Sequence, residues 1–228
     1  MVSTYASALV IVQETLGSGT DMSMADIWNG GGFMMWPLAT CFAIGMLIIF
    51  WKFASLTGKA AANRKLLKEV DGLIAQQRLD QALAECQDSN APAGQILAAG
   101  LKRYNEGAAR VTQAIENAGA IEVSKLESGL VWLATLSNVA PLLGFLGTVV
   151  GMIQAFQAIE IAGEVEATLV AGGIKVALIT TASGLAIAIP INIAHNYFVT
   201  RVDRIVIDME ESAQKMIDAV HAIERGAA

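Results

Sequence analysis

The sequence is poor in charged residues and in cysteine. Only 16% of its 228 residues are Asp, Glu, Lys or Arg, whereas an average soluble domain has about 25%. Much of the surface must therefore contact something other than water. The sequence has no dense cluster of Lys and Arg, so it gives no indication of a nucleic-acid partner. The two cysteines, Cys41 and Cys86, lie in segments predicted below to be membrane and cytoplasm, so a disulfide framework is not expected.

Three stretches contain no charged residue, namely 27–51, 128–159 and 176–200. A helix crosses the hydrocarbon core of a membrane in about 20 residues, so each stretch predicts one span. Buried core helices of a soluble protein are the alternative, but three such stretches in so short a chain favour a membrane. We predict an all-α membrane protein with transmembrane helices at 33–53, 130–158 and 174–198.

The basic residues predict the orientation of these spans. Of 15 Lys and Arg residues, only Lys175 lies outside the two segments 52–129 and 201–225. Because basic residues accumulate on the cytoplasmic side, both termini can be assigned. The sequence predicts a periplasmic N-terminal segment at 1–32, a cytoplasmic helical domain at 54–129, a periplasmic loop at 159–173 and a cytoplasmic C-terminal helix at 199–228. Lys175 either extends its stem to the interface or controls ion entry electrostatically.

Two of the spans are expected to belong to longer helices. From about Ala109 to Phe156 the helical pattern meets no strong breaker, which gives a helix of roughly 70 Å. The hydrocarbon core takes only about 30 Å, so spans two and three are predicted to extend into a cytoplasmic helical bundle. The helical hairpin Leu73–Cys86 is either part of that bundle or a protein-docking module.

Spans two and three contain small and hydroxyl-bearing residues in a regular arrangement. Gly147, Gly151 and Ala155 are four residues apart, which is typical of close helix packing in membranes, and Pro141 can kink its helix. Thr148 and Thr181 are predicted to lie roughly 15 and 10 Å below the outer interface. Their hydroxyls either line a water-filled pathway or bond carbonyls of their own helices.

No carboxylate occurs within the three spans, although proton relays normally use Asp, Glu or His. His195, near the inner end of span three, either titrates or is a hydrogen-bonded interfacial residue. If ions cross here, the titrating acid must come from another chain. The spans contain no catalytic pair, metal-binding motif or nucleotide loop, so we predict no enzyme activity, no catalytic residues, no metal and no cofactor.

The order of residues in spans two and three resembles the signature of the MotA/TolQ/ExbB proton channel family. The residues that carry the resemblance are Asn138, Pro141, Gly144, Gly147, Thr148 and Gly151, followed by Gly173, Ala177, Thr180, Thr181, Gly184, Ala188 and Pro190. Three spans with an outer N-terminus are similar to ExbB and TolQ rather than to the four-span MotA.

The resemblance implies a homopentamer in the bacterial inner membrane, with spans two and three around a central pore. Within the pore would lie the single membrane helices of an ExbD- or TolR-like dimer, each with one Asp. A TonB- or TolA-like protein is an expected third component. Ion flow, of H⁺ or alternatively Na⁺, would drive mechanical work. Thr148 and Thr181 match the positions that face the partner's Asp, and we add Thr180 and Asn138 to the ion pathway.

One position departs from the family pattern. ExbB and TolQ typically have a Glu in span three where this sequence has Val176, which removes one candidate proton group. Two other functions therefore stay open: a sodium-driven subunit of the same family, and a non-conducting membrane scaffold that recruits proteins through the Leu73–Cys86 hairpin.

Overall fold

The computed structural model describes residues 23–76 and 78–226, and it is helical throughout, with no strand in these residues. The 1–22 part of the predicted periplasmic segment lies outside the described residues. The helices are α1 Met24–Gly30, α2 Met35–Ala75, α3 Leu79–Asp88, α4 Pro92–Leu101, α5 Ala108–Glu127, α6 Leu130–Ala162 and α7 Ala167–Gly226. Short 3₁₀ turns occupy Gly32–Met34 and Tyr104–Glu106. The all-α prediction is confirmed.

Three helical stretches are long and apolar enough to cross a membrane: Gly32–Ile74, Ala108–Ala162 and Val170–Ala222. Their most apolar segments have a mean hydropathy of 2.1, 1.8 and 1.9, yet only 28%, 28% and 33% of them is buried within the chain. Exposed apolar area of this extent needs lipid or other subunits to cover it. The three-span prediction is confirmed; the span limits and the side on which each terminus lies stay predictions.

The continuous helix expected from Ala109 to Phe156 is divided in the structure. Helix α5 ends at Glu127 and α6 begins at Leu130, with Gly129 between them at φ +86°. A residue with a Cβ atom is strained in this left-handed region, whereas glycine is not. Span three does continue as predicted, because α7 runs without interruption through Pro190. Another difference is that α2 continues from span one through Ala75 as one helix.

The chain divides into two compact units. The first unit contains the described residues up to Cys41 together with Val139–Ile187. Its core packs Met35 and Leu38 of α2 against Ile179 of α7, and Leu38 is completely buried. Burial of such side chains contributes about 1.5–3 kcal/mol each.

A capping box begins α1 in the first unit. The Ser23 hydroxyl accepts a hydrogen bond from the Asp26 N–H at 3.2 Å, and the Ser23 N–H donates to the Asp26 carboxylate at 3.0 Å. These side-chain and backbone bonds from Ser23 hold the pKa of the Asp26 carboxyl below its usual value. Nearby, the rings of Trp28 and Trp36 meet edge to face at 5.3 Å. Tryptophan is enriched at membrane–water interfaces.

The second unit comprises Phe42–Asn138 and the residues from Ala188 onward. Its largest fully buried side chains come from α4, α5, α6 and α7, namely Leu97, Leu101, Leu126, Leu133, Ile191 and Met216. The Asn63 side chain accepts a hydrogen bond from the Ala93 N–H at 2.9 Å, so α2 satisfies a donor at the amino end of α4. Lys215 of α7 pairs with Asp71 of α2 at 2.9 Å.

Lys52, the first basic residue of the chain, has a specific structural role in the second unit. Its side chain is only 3% exposed. The ammonium group donates to the carbonyl oxygens of Leu126 at 2.7 Å and Ser128 at 2.6 Å. The last carbonyls of a helix lack partners within the helix and carry partial negative charge. Lys52 therefore caps the end of α5 at the point where the chain turns through Gly129.

Candidate functional site in helices α6 and α7

Helices α6 and α7 approach each other along glycines in the first unit. A Cβ atom added at Gly144 would lie 3.0 Å from the Thr180 carbonyl oxygen, and one at Gly184 would lie 2.7 Å from the Ala140 oxygen. One at Gly151 would lie only 2.6 Å from the Gly173 oxygen. The two backbones are therefore in van der Waals contact, and the helices run antiparallel. This is the close approach that small residues permit in membrane helices.

Thr180 lies inside this contact. Its side chain is completely buried and packs directly against Gly147. Its hydroxyl is 2.9 Å from the Val176 carbonyl oxygen and 3.0 Å from that of Ala177, both in its own helix. The structure thus places Thr180 between the two helices and away from any exposed surface of the chain.

Thr148 and Thr181 are both partly exposed. The Thr148 hydroxyl donates to the Phe145 carbonyl at 2.6 Å. The Thr181 hydroxyl is 3.0 Å from the Ala177 carbonyl oxygen and 3.3 Å from the Gly144 oxygen of the facing helix. A hydroxyl has one hydrogen to donate but can also accept. Each threonine therefore satisfies its donor within the chain and keeps lone pairs that can accept a further hydrogen bond.

Asn138 belongs to the second unit and is exposed there. It lines a cavity of about 360 Å³ together with His195, Glu127 and Asp203. In this cavity two carboxylates, an imidazole and a carboxamide come together, which the sequence did not indicate. Among the described residues, no three His, Cys, Asp or Glu side chains are placed to hold a metal ion.

The remaining predicted positions are helical. Pro141 lies inside α6 and Pro190 inside α7, and both helices continue through them. Val176, at the position of the family Glu, is partly buried, and its carbonyl accepts the bond from Thr180. Near the start of α7, the Lys175 stem lies 3.4 Å from a Cβ atom added at Gly30, so its aliphatic carbons lie close to the α1 backbone.

Comparison with known proteins settles the family. Residues 88–211, more than half of the chain, match the MotA/TolQ/ExbB proton channel family. The chain belongs to this family. The matched range contains α6, the first part of α7 and all the site residues predicted from the sequence.

The similarity of this chain to individual relatives extends over different lengths of sequence. An ExbB homolog of Methanothermobacter thermautotrophicus is 29% identical over 89% of this chain and 72% of its own length. The biopolymer transport protein exbB1 of Vibrio cholerae is 31% identical over 70% of this chain and 72% of its own length. The Tol-Pal system protein TolQ of Haemophilus influenzae is 38% identical, but over only 44% of each chain.

Sequence reasoning missed two structural features of this family member, the Lys52 cap and the break at Gly129. The dipeptide Ser128-Gly129 was the available signal, since Ser-Gly is a turn marker inside an otherwise helical pattern. No comparable signal existed for Lys52, because its partners are carbonyl oxygens 74 and 76 residues away.

Proposed function

We propose that this chain is the channel-forming subunit of an ion-driven, energy-transducing motor of the bacterial inner membrane. Protons are the proposed driving ion. In this proposal five copies surround a dimer of an ExbD- or TolR-like single-span protein, and a TonB- or TolA-like protein receives the mechanical output. Membership of a proton channel family supports the proposal, as do relatives named for biopolymer transport and for the Tol-Pal system.

The observation that carries the proposal is the hydrogen bonding of the two partly exposed threonines, Thr148 and Thr181. In spans without a carboxylate, Thr148 and Thr181 each have their donor satisfied by a backbone carbonyl. A lone threonine pair does not titrate near neutral pH, so it cannot exchange protons with water by itself. It can accept a hydrogen bond from a protonated acid or contact a hydrated cation. This chemistry fits a pore-forming subunit whose partner protein supplies the titrating Asp.

Thr180 and Asn138 have different places in this proposal. Thr180 is sealed between α6 and α7, so we assign it to helix packing that holds Thr181 in position. Asn138 lines a cavity with His195 and lies ten residues before Thr148 along α6, on the cytoplasmic side in the predicted topology. We place it at the inner part of the ion pathway.

The test removes the hydroxyls without changing side-chain shape. In the complex purified from its native membrane and reconstituted in liposomes, we expect Thr148→Val with Thr181→Val to reduce ion flux at least tenfold. Loss of hydrogen bonds of about 1–3 kcal/mol corresponds to one to two orders of magnitude in rate. The matched control is Thr148→Ser with Thr181→Ser, which keeps both hydroxyls and should retain flux.

Two further measurements complete this test. Copurification of the partner shows that assembly is intact, so a loss of flux is not a loss of the complex. Replacing Na⁺ by K⁺ distinguishes the two ions, because a sodium-driven subunit loses flux and a proton-driven one does not. Wild-type flux in the double Val variant would show that the threonines do not carry ions, and it would favour a non-conducting scaffold.

A further inference from the structure

A second cavity in the second unit is lined by basic residues and has no acidic side chain. It measures about 630 Å³ and lies between α4 and the first turns of α5. Its polar lining residues are Gln95, Lys102, Arg103, Arg110, Gln113 and Asn117. The chain as a whole has a net charge of −6, so a cavity with three cations and no carboxylate differs sharply from the average surface.

Small side chains create the space. Ala98, Ala99 and Ala114 form the floor between the two helices. Where a larger side chain would fill the groove, these methyl groups leave a concave apolar surface. The long basic and carboxamide side chains form the rim. The six polar lining residues are all exposed, so the cavity is an open groove, and its volume lies within the range of about 300–1,000 Å³ that is usual for small-molecule sites.

Few acidic groups neutralise the cations of this rim. Arg103 pairs with Glu106, but at 3.8 Å and with both side chains about half exposed, so this pair is weak. Among the described residues, Lys102 and Arg110 form no ion pair. Arginine offers a planar fork of donors that fits phosphate oxygens, and lysine adds a point charge.

We propose that this cavity binds a small phosphate-bearing anion with at least two negative charges, such as a diphosphate group. Two or three cations around one concavity match a polyanion better than a single carboxylate, which would leave excess positive charge. The carboxamides of Gln95, Gln113 and Asn117 supply both donors and acceptors for the rest of such a molecule. The inference concerns α4 and α5 and does not depend on the proposed channel function.

A free ligand is favoured over a lipid headgroup as the source of the phosphate. Arg110 precedes Glu127, the last residue of α5, by 17 residues, which is roughly 26 Å along a helix. Glu127 adjoins the predicted inner end of span two. In the predicted topology, in which α5 extends from the membrane into the cytoplasm, headgroups at that membrane surface lie beyond the reach of the cavity.

The experiment uses the full chain in nanodiscs of neutral phosphatidylcholine and isothermal titration with pyrophosphate. We expect saturable binding at one site per chain, weakened by salt and at least tenfold weaker in Lys102→Gln with Arg110→Gln. The matched control, Arg64→Gln with Lys65→Gln, removes the same charge from exposed positions of α2 and should bind like wild type.

Three outcomes would overturn the inference. Pyrophosphate that gives no binding up to about 10 mM would show that the cavity is not a phosphate site. Equal weakening in both double variants would show attraction by overall charge alone. Loss of pyrophosphate binding in nanodiscs that contain phosphatidylglycerol, with no loss in neutral ones, would assign the site to a headgroup and not to a free ligand.

Discussion

Replacement of Lys52 by methionine tests the cap at the end of α5. Methionine is similar in length and stays apolar, so the change removes the ammonium group that donates to the Leu126 and Ser128 carbonyls with little change in packing. The Leu126 side chain is 1% exposed, and water has poor access to this region. Ser128 is exposed, so water can replace part of its lost bond.

The expected magnitude follows from these two different carbonyls. A hydrogen bond to a charged group contributes about 1.5–3 kcal/mol, and a buried carbonyl without a partner costs about 1–3 kcal/mol. Removing a buried ammonium group also removes its desolvation cost, which offsets part of the loss. We expect a net destabilisation of the end of α5 of about 2 kcal/mol, equivalent to roughly a 30-fold increase in local opening.

Hydrogen exchange measured by mass spectrometry on peptides covering 120–128 reports this opening directly. Lys59→Met is the matched control. It makes the same substitution about two turns later in α2 and leaves the Leu126 and Ser128 hydrogen bonds intact. Lys52→Arg should restore part of the protection, because it keeps the charge but has a larger planar head. Exchange in Lys52→Met within about threefold of the Lys59→Met rate would refute the capping role.

Two further predictions concern packing and thiol chemistry. Gly151→Ala should destabilise the chain in detergent by about 1–3 kcal/mol, because its Cβ atom would lie 2.6 Å from a backbone oxygen. Gly172→Ala, whose Cβ atom meets nothing within 4 Å, should be neutral or stabilising in thermal denaturation. Equal melting temperatures of the two variants would contradict the close contact between α6 and α7. Burial raises the pKa of the Cys86 thiol to about 12, so maleimide labelling of Cys86 should stay slow from pH 7 to 9, because the reactive thiolate is scarce. An exposed thiol introduced by Asn90→Cys should label quickly, and mass spectrometry of labelled peptides distinguishes the two. Fast labelling of folded Cys86 would contradict its burial.

Much of the architecture was predictable because it depends on composition over long windows. The absence of charge in three stretches predicts three spans, since a charged side chain in hydrocarbon is costly wherever it lies. The all-α class follows from the same requirement, because a single chain segment in lipid must satisfy its own backbone hydrogen bonds. The family signature likewise consists of residues close together in the sequence.

The candidate site was predictable only in part. Four-residue spacing indicated that Gly147 and Gly151 would lie on one helix face, and the structure places both against α7. Spacing did not distinguish Thr180 from Thr181, which are adjacent in sequence. Their environments differ because successive residues of a helix point about 100° apart, so Thr180 is sealed against Gly147 while Thr181 stays partly exposed.

The sequence by itself determined the number of helical spans, their predicted orientation and the family, because each depends on residue types and local order. The tertiary structure alone decided which hydroxyl is buried, where α5 ends, and that Lys52 caps it. It also decided that Lys102 and Arg110 share a cavity whose alanine floor leaves room for a ligand. These features depend on contacts between residues distant in the chain, and such contacts leave no periodic pattern in the sequence.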